Sequence, residues 1–236
     1  MRVAALIPAY QAAAHLAGVL ARIAALPDPP ETLVVNDGST DGTGEVARGA
    51  GVRVLTFPEN RGKGNALLAG FRELAGFDGV VTLDADGQHP PECVPAFVEA
   101  AARGADLVLG QRSLSGDMPV IRQLANGVAS GWATWLAGQP VGDSQCGFRL
   151  YGRRLLERTP ITPGRYEVES EVIVRAARLG FRIAQVPIPT VYGTEESQIR
   201  TARDVPRILG VLARLTLERF APPDAMRRAA RAETAP

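Results

Sequence analysis

Five short apolar runs, each followed by a stretch long enough for a helix, constrain this chain more than any other feature. Val3-Ile7, Thr32-Val35, Val52-Thr56, Val80-Leu83 and Asp106-Gly110 are rich in β-branched residues and read as strands. Between them, Ala13-Ala25, Thr43-Gly49, Asn65-Leu74 and Pro91-Ala102 read as helices, the last with prolines where a first helical turn tolerates them. Such alternation folds as a mostly parallel sheet covered by helices on both faces. With 236 residues, 46% of them hydrophobic, the chain can bury one full core, so a single α/β domain is expected. Past residue 112 the rhythm changes. Helices are expected over Ile121-Leu136 and Val168-Leu179, and short strands at Phe148-Tyr151 and Arg182-Val186. A last helix over Val205-Phe220 precedes a tail, 221–236, expected to be disordered.

Composition removes several function classes. A net charge of +1 gives no basic excess, so nucleic acid is not an expected partner. Cys93 and Cys146 lie far apart, and only His15 and His89 could join them, so neither a disulfide framework nor a structural zinc site is expected. The run Val3-Ile7 stops at Pro8, too short for a signal-peptide core or a membrane span, so a cytoplasmic location is expected. Cys93, Cys146, Trp132 and Trp135 are read as packing residues, and His89 as part of loop packing.

In an open α/β sheet, ligands bind beyond the carboxyl ends of the strands, so the polar residues following each apolar run are the candidates. Four junctions stand out: Pro8-Ala9-Tyr10, Asn36-Asp37-Gly38-Ser39, Asn60-Arg61-Gly62-Lys63-Gly64, and Asp84-Ala85-Asp86-Gly87-Gln88. Two carboxylates at i and i+2 on extended chain point to one side and can share a hard cation, with Gln88 as a third oxygen donor. Such a cation neutralises the charge that builds on a departing diphosphate. A bare D-x-D is also common in surface loops, and its context here is what favours Mg2+ or Mn2+. Asp37 ends a strand facing the same crevice, which suits a hydrogen bond to a base or ribose. Ser39, Thr40 and Asp41 read as turn and helix-cap residues. Gly42-Thr43-Gly44-Glu45-Val46-Ala47 loosely matches a dinucleotide fingerprint, but it follows the second strand without a convincing acidic partner, and the match is treated as accidental.

Taken in order, these four junctions resemble the family 2 glycosyltransferases of GT-A fold, closest to the dolichyl-phosphate mannosyltransferase and polyprenyl-phosphate glycosyltransferase branch. Further matches extend to about residue 200: Gly110-Gln111-Arg112, Arg122 with Asn126, Asp143-Ser144-Gln145-Cys146-Gly147-Phe148-Arg149, Glu169 and Glu171, Val186-Pro187-Ile188, and Tyr192 with Ser197. The resemblance implies a Rossmann-like sheet in one domain over 1–220, with a nucleotide-sugar half over 1–112 and an acceptor half over 113–220. It implies that Pro8, Tyr10, Asp37, Lys63 and Asp84 hold a UDP- or GDP-sugar, and that Asp84, Asp86 and Gln88 gather about the metal. Arg112 and Arg122 would meet an acceptor phosphate. The reaction implied is a single inverting displacement onto a polyprenyl phosphate or another acceptor.

Some readings stay open. A lipid phosphate is already an anionic nucleophile, whereas a hydroxyl needs a general base, for which Asp143 is the candidate. Asp143 could equally pair with Arg149 or Arg112 and shape its loop. The family commonly has an acid at the position of Asn36 and a Glu at that of Gln185, so neither position is given an essential ionic role. On the last helix, Val205, Ile208, Leu209, Leu212 and Leu215 form one stripe, which either dips into a membrane surface from the cytoplasmic side or packs on the domain. A non-catalytic nucleotide-sugar-binding protein is the weaker alternative, because every expected ligand is present.

Overall fold

The computed structural model describes residues 1–112, 120–161, 167–189 and 210–218, with only the backbone described for 120–126 and 167. Seven strands form one sheet: β1 (Val3–Ala9), β2 (Glu31–Asn36), β3 (Arg53–Thr56), β4 (Gly79–Thr82), β5 (Leu107–Arg112), β6 (Arg149–Gly152) and β7 (Ile183–Ile188). Their order is β3-β2-β1-β4-β6-β5-β7. All neighbours are parallel except β6, which runs antiparallel to both β4 and β5. Because β6 runs backwards, the loop that precedes it, rather than the one that follows, arrives at the carboxyl ends of β4 and β5.

The helices are α1 (Ala13–Ala24), α2 (Thr43–Gly49), α3 (Lys63–Glu73), α4 (Val94–Ala102), α5 (Val120–Ala137), α6 (Arg153–Arg158) and α7 (Glu167–Arg178). The period-2 alternation of β1 explains how they are shared between the two faces. Ala5, Ile7 and Ala9 pack with Leu16, Val19, Leu20 and Ile23 of α1 and Phe97 of α4. Ala4 and Leu6 point the other way, to Leu67 and Phe71 of α3 and Val172 and Ile173 of α7. Both faces of β1 are therefore dry, which makes it a central strand and accounts for its nearly unbroken apolar sequence.

The expected elements recur within a few residues of their sequence-based bounds. The exception is α6, whose six residues, Arg-Arg-Leu-Leu-Glu-Arg, are too short and too charged to show a helical period. The strand β7 runs through Pro187, which the edge of a sheet tolerates.

A third cluster bears on the two readings of the last helix. The chain is helical over 210–218, and Leu212 and Leu215 are fully buried against Ala129 and Leu136 of α5 and Val174 of α7. The described part of the stripe thus packs on the domain; Val205, Ile208 and Leu209, like Tyr192, Ser197 and the tail 221–236, lie outside the described residues. Glu171 ties the same helix down by accepting from Arg175 at 2.8 Å and Arg214 at 2.9 Å. Trp135, expected in the packing, is instead 50% exposed.

Candidate active site

Four loops at the carboxyl edge of the sheet are cross-braced before any ligand arrives. Asp37, 3% exposed, accepts from the backbone amides of Arg61 at 2.7 Å and Gly62 at 2.8 Å, so both its oxygens already hold the 57–62 loop. That is a different contact from the base or ribose expected of it. Gly38, at φ 71°, lies so close to that loop that a Cβ would fall 2.4 Å from the Glu59 carbonyl carbon. Gln11 takes a left-handed φ of 50°, held by amide-to-Thr40 bonds in both directions at 2.9 and 3.2 Å. Asp41 accepts from Thr43 and the Ala13 amide, and Thr43 from the Ala12 amide at 2.8 Å, which accounts for the Gly-Thr-Gly run as a helix start. Pro8 ends half-buried on β1, and Tyr10 stands 40% exposed at the mouth.

The charged centre lies where β4 ends. Lys63, in the first turn of α3, places its Nζ 2.6 Å from Asp84 Oδ1 and 2.8 Å from Glu169 Oε1. Burial alone would lower this ammonium's pKa, but the two carboxylates outweigh it and raise it. Asp84 answers in kind: burial would raise it, yet Lys63, followed by His89 and Arg112, brings it down to about 2. Asp86 goes the other way, pushed up by burial and then by the neighbouring Asp84, although the Gln88 amide donates to its Oδ1 at 3.0 Å. His89 is 4% exposed, and burial pushes its pKa down. Its Nδ1 accepts from the Asp84 amide at 3.0 Å, which assigns the ring proton to Nε2, toward Cys146 Sγ at 3.9 Å. The imidazole is thus a fixed packing element.

This donor set fits a hard divalent cation. Among the described residues there is no group of three or more His, Cys, Asp or Glu placed to hold a metal. Magnesium-type sites need fewer, since such ions take one or two protein carboxylates and complete their shell with water and substrate phosphates. With Asp84 bonded to Lys63, Asp86 is the carboxylate left with excess negative potential, and Gln88 stands beside it half-buried.

On the other side of the crevice, Arg112 at the end of β5 grips Asp143 through two bonds, Nε to Oδ2 at 2.7 Å and Nη2 to Oδ1 at 3.1 Å. Burial opposes the charge on this guanidinium, and the Asp143 pair more than offsets it, so its pKa rises. Gln185 holds the same loop by accepting from the Gly142 amide at 2.7 Å and donating to the Pro140 carbonyl at 3.2 Å, so a neutral amide here reads backbone at both ends. Arg149, fully buried, gives its guanidinium to the carbonyls of Cys146, Ser144 and Glu169. Arg122 lies on the first turn of α5, and its side chain is outside the described residues. Two linkages escape sequence reasoning: Lys63 with Glu169, and Arg149 with the 144–146 carbonyls. The first joins α3 to α7, far apart in sequence; the second closes a tight turn just before β6.

Gly147 seals this centre. A Cβ there would sit 2.7 Å from Lys63 Nζ, 2.9 Å from Glu169 Oε1 and 3.0 Å from Asp84 Oδ2. Gly147→Ala is therefore expected to push the three charged groups apart and to lower transfer about 100-fold, the usual penalty for misplacing a site by about 1 Å. Initial-rate kinetics beside circular dichroism would check this; normal turnover in a folded variant would show that the triad's spacing does not matter.

Comparison with known proteins follows the same geometry. Residues 4–161 match the model of glycosyl transferase family 2. The chain is 35% identical to an undecaprenyl-phosphate mannosyltransferase of Micrococcus luteus over 81% of this chain and 84% of that one. It is 31% identical to a polyprenol monophosphomannose synthase of Mycolicibacterium smegmatis, covering 79% and 76%. Among solved structures, glucosyl-3-phosphoglycerate synthase of Mycobacterium tuberculosis, in complex with Mn2+, UDP and glucosyl-3-phosphoglycerate, superposes with a TM-score of 0.74 at 25% identity over 90% of this chain and 79% of that one. With its GT-A sheet and its Asp84-Ala85-Asp86 segment, the chain belongs to glycosyl transferase family 2 and is a glycosyltransferase.

Proposed function

We propose that this glycosyltransferase moves a hexosyl unit from a UDP- or GDP-sugar to a polyprenyl phosphate, with Mg2+ or Mn2+ held by Asp86, with Gln88 beside it and Asp84 behind. The carrying observation is that the buried carboxylates lining the acceptor side are already committed to cations: Asp143 to Arg112 and Glu169 to Lys63. A carboxylate gripped at both oxygens by a guanidinium is a poor proton acceptor, so Asp143 does not serve as the base that a hydroxyl nucleophile needs. A phosphate monoester brings its own negative oxygen and needs none. The names of the relatives, which are undecaprenyl-phosphate and polyprenol enzymes, support the same acceptor class.

In this reading the acceptor phosphate oxygen forms a bond to the anomeric carbon from the face opposite the donor. The bond from that carbon to the β-phosphate oxygen breaks, and the nucleoside diphosphate departs with the electron pair. The bound divalent ion supplies Lewis-acid stabilisation of that leaving group. Pro8 and Tyr10 flank the nucleoside, and Asp37 serves it by fixing the 57–62 loop. Lys63 keeps Asp84 ionised and fixed behind the diphosphate, while Arg112, with Arg122 at the start of α5, attracts the acceptor phosphate.

Acceptor competition tests this. Radiolabelled UDP- and GDP-sugars are offered with a short-chain prenyl phosphate, with 3-phosphoglycerate and with a simple glycoside, at fixed Mn2+. Transfer to prenyl phosphate is the expected result, and transfer confined to the soluble hydroxyl acceptors would overturn it. Arg112→Ala should leave donor affinity nearly unchanged while transfer falls about 10- to 150-fold, the equivalent of one charge-assisted contact worth roughly 1.5–3 kcal/mol. Isothermal titration of the nucleoside diphosphate alongside the rate assay separates the two.

A further inference from the structure

A line of buried hydroxyls and one amide crosses the interior from α5 to α7. On α5, Ser130 Oγ accepts from the Ser144 amide at 3.0 Å and donates to the Ser144 hydroxyl at 3.3 Å. Gln145 Nε2 donates to that hydroxyl at 3.0 Å and, with its second hydrogen, to Ser170 Oγ of α7 at 3.0 Å. Ser130, Ser144 and Ser170 are all buried. Apolar packing already joins the two helices: Ala133 shares one cluster with Val168, Val172 and Ile173, and Ala129 and Leu136 share another with Val174. The polar line is therefore not what holds the helices together. What a bonded buried network adds to such packing is one fixed spacing.

Gln145 also touches the charged groups on both sides of the crevice. Its backbone amide donates to Asp143 Oδ1 at 3.1 Å, the same oxygen that Arg112 Nη2 bonds. At the far end, Ser170 directly follows Glu169, whose carboxylate holds Lys63 at 2.8 Å, and Lys63 in turn holds Asp84 at 2.6 Å. Arg149 fixes the Glu169 and Ser144 carbonyls together, so the loop and α7 meet at two points, one charged and one neutral. From Arg112 to Asp84 the crevice is thus spanned by a run of bonds with Gln145 at its middle. We propose that Gln145 is a positioning residue that sets the gap between the acceptor phosphate at Arg112 and the donor diphosphate at Asp84. The inference rests on the proposed roles of those two residues, and it assigns the distance between them to one side chain. In-line displacement is sensitive to that distance, because the reacting atoms must stand about 3–3.5 Å apart before the bond forms. A glutamine suits the task, since its amide reaches two hydroxyls at once and adds no charge between two ion pairs. It acts through Asp143 on one side and through α7 on the other.

Gln145→Met keeps the length of the side chain and removes both of its hydrogen bonds. It should lower kcat about 10- to 100-fold, in line with a misplacement of up to about 1 Å. The KM values for donor and for short-chain prenyl phosphate should stay nearly unchanged, the pattern left by a contact that matters only in the transition state. Ser170→Ala cuts the same link from the other end and should lower kcat in the same way, and the double variant should be no slower than Gln145→Met alone. Melting temperatures are followed in parallel; if Gln145→Met does not fold, Ser170→Ala carries the comparison. A kcat equal to that of the unsubstituted chain, a loss confined to melting temperature, kcat losses that multiply in the double variant, or a rise in KM that accounts for the lost rate would each overturn the inference. Absence of transfer to any prenyl phosphate by the unsubstituted chain would instead sink the acceptor assignment. The same variants would then be assayed on the soluble acceptor that is used, with the same pattern expected.

Discussion

Asp86→Asn should reduce sugar transfer by at least about 100-fold, the upper end of what loss of a mere supporting partner of a metal ligand costs, and it should do so without unfolding the protein. The asparagine keeps an oxygen for the Gln88 amide that donates to Asp86 at 3.0 Å. It removes a negative charge that burial and Asp84 both disfavour in the metal-free protein. The sign follows from the raised pKa: the folded state resists ionisation of this group more than the unfolded chain does, so at neutral pH the ionised carboxylate opposes folding until a cation arrives. Melting in chelator should therefore be unchanged or slightly raised, while the Mn2+-dependent gain in nucleoside diphosphate affinity disappears. If Mn2+ still sharpened nucleotide binding in this variant, Asp86 would have to be struck off as the ligand.

Lys63→Met should have the largest effect on stability. Removing the ammonium leaves Asp84 and Glu169 as two shielded carboxylates facing the space it occupied at 2.6 and 2.8 Å. Breaking a buried ion pair from one side costs about 3–5 kcal/mol, which for a domain of this size lowers the melting temperature by about 6–20 °C. Adding Asp84→Asn and Glu169→Gln should restore much of the loss, because the penalty comes from stranded charge. The pH dependence gives a second reading. Asp84 is held down to about 2 from an ordinary 3.8, so its contribution is present above 3.8 and disappears as the pH falls through about 2. That part of the acid destabilisation should vanish in Lys63→Met. A variant that melts like the unsubstituted protein would mean that the triad contributes nothing net.

Much of this was legible from the residues. Strands such as Val3–Ala9 announce themselves because a central strand is dry on both faces, and the four polar junctions converge because a parallel sheet puts every carboxyl end on one edge. Which neighbour each charge chooses was not legible. Asp37 was read toward a nucleoside and is found gripping the Arg61 and Gly62 amides; Lys63 was read toward a donor and is found between Asp84 and Glu169. Sequence spacing carries no information about pairs that only tertiary folding brings to within 3 Å. Asp143 had two readings left open, and two bonds to Arg112 select the pairing. Of the stripe read on the last helix, the described Leu212 and Leu215 are buried; periodicity could not say what covers them.

The reversal of β6 has a consequence for how this catalyst can be re-engineered or recombined. A nucleotide-sugar half ending at residue 112 looks like a natural cassette, yet β6 is threaded between β4 and β5, and the Thr82 hydroxyl donates to the Gly147 carbonyl at 2.7 Å. A chimera joined at residue 112 would place a foreign strand in the middle of the host sheet. It would also confront Lys63 with a counter-charge it did not co-evolve with. Exchange of acceptor specificity should therefore succeed by grafting the 138–148 loop onto an unchanged sheet and fail by swapping halves.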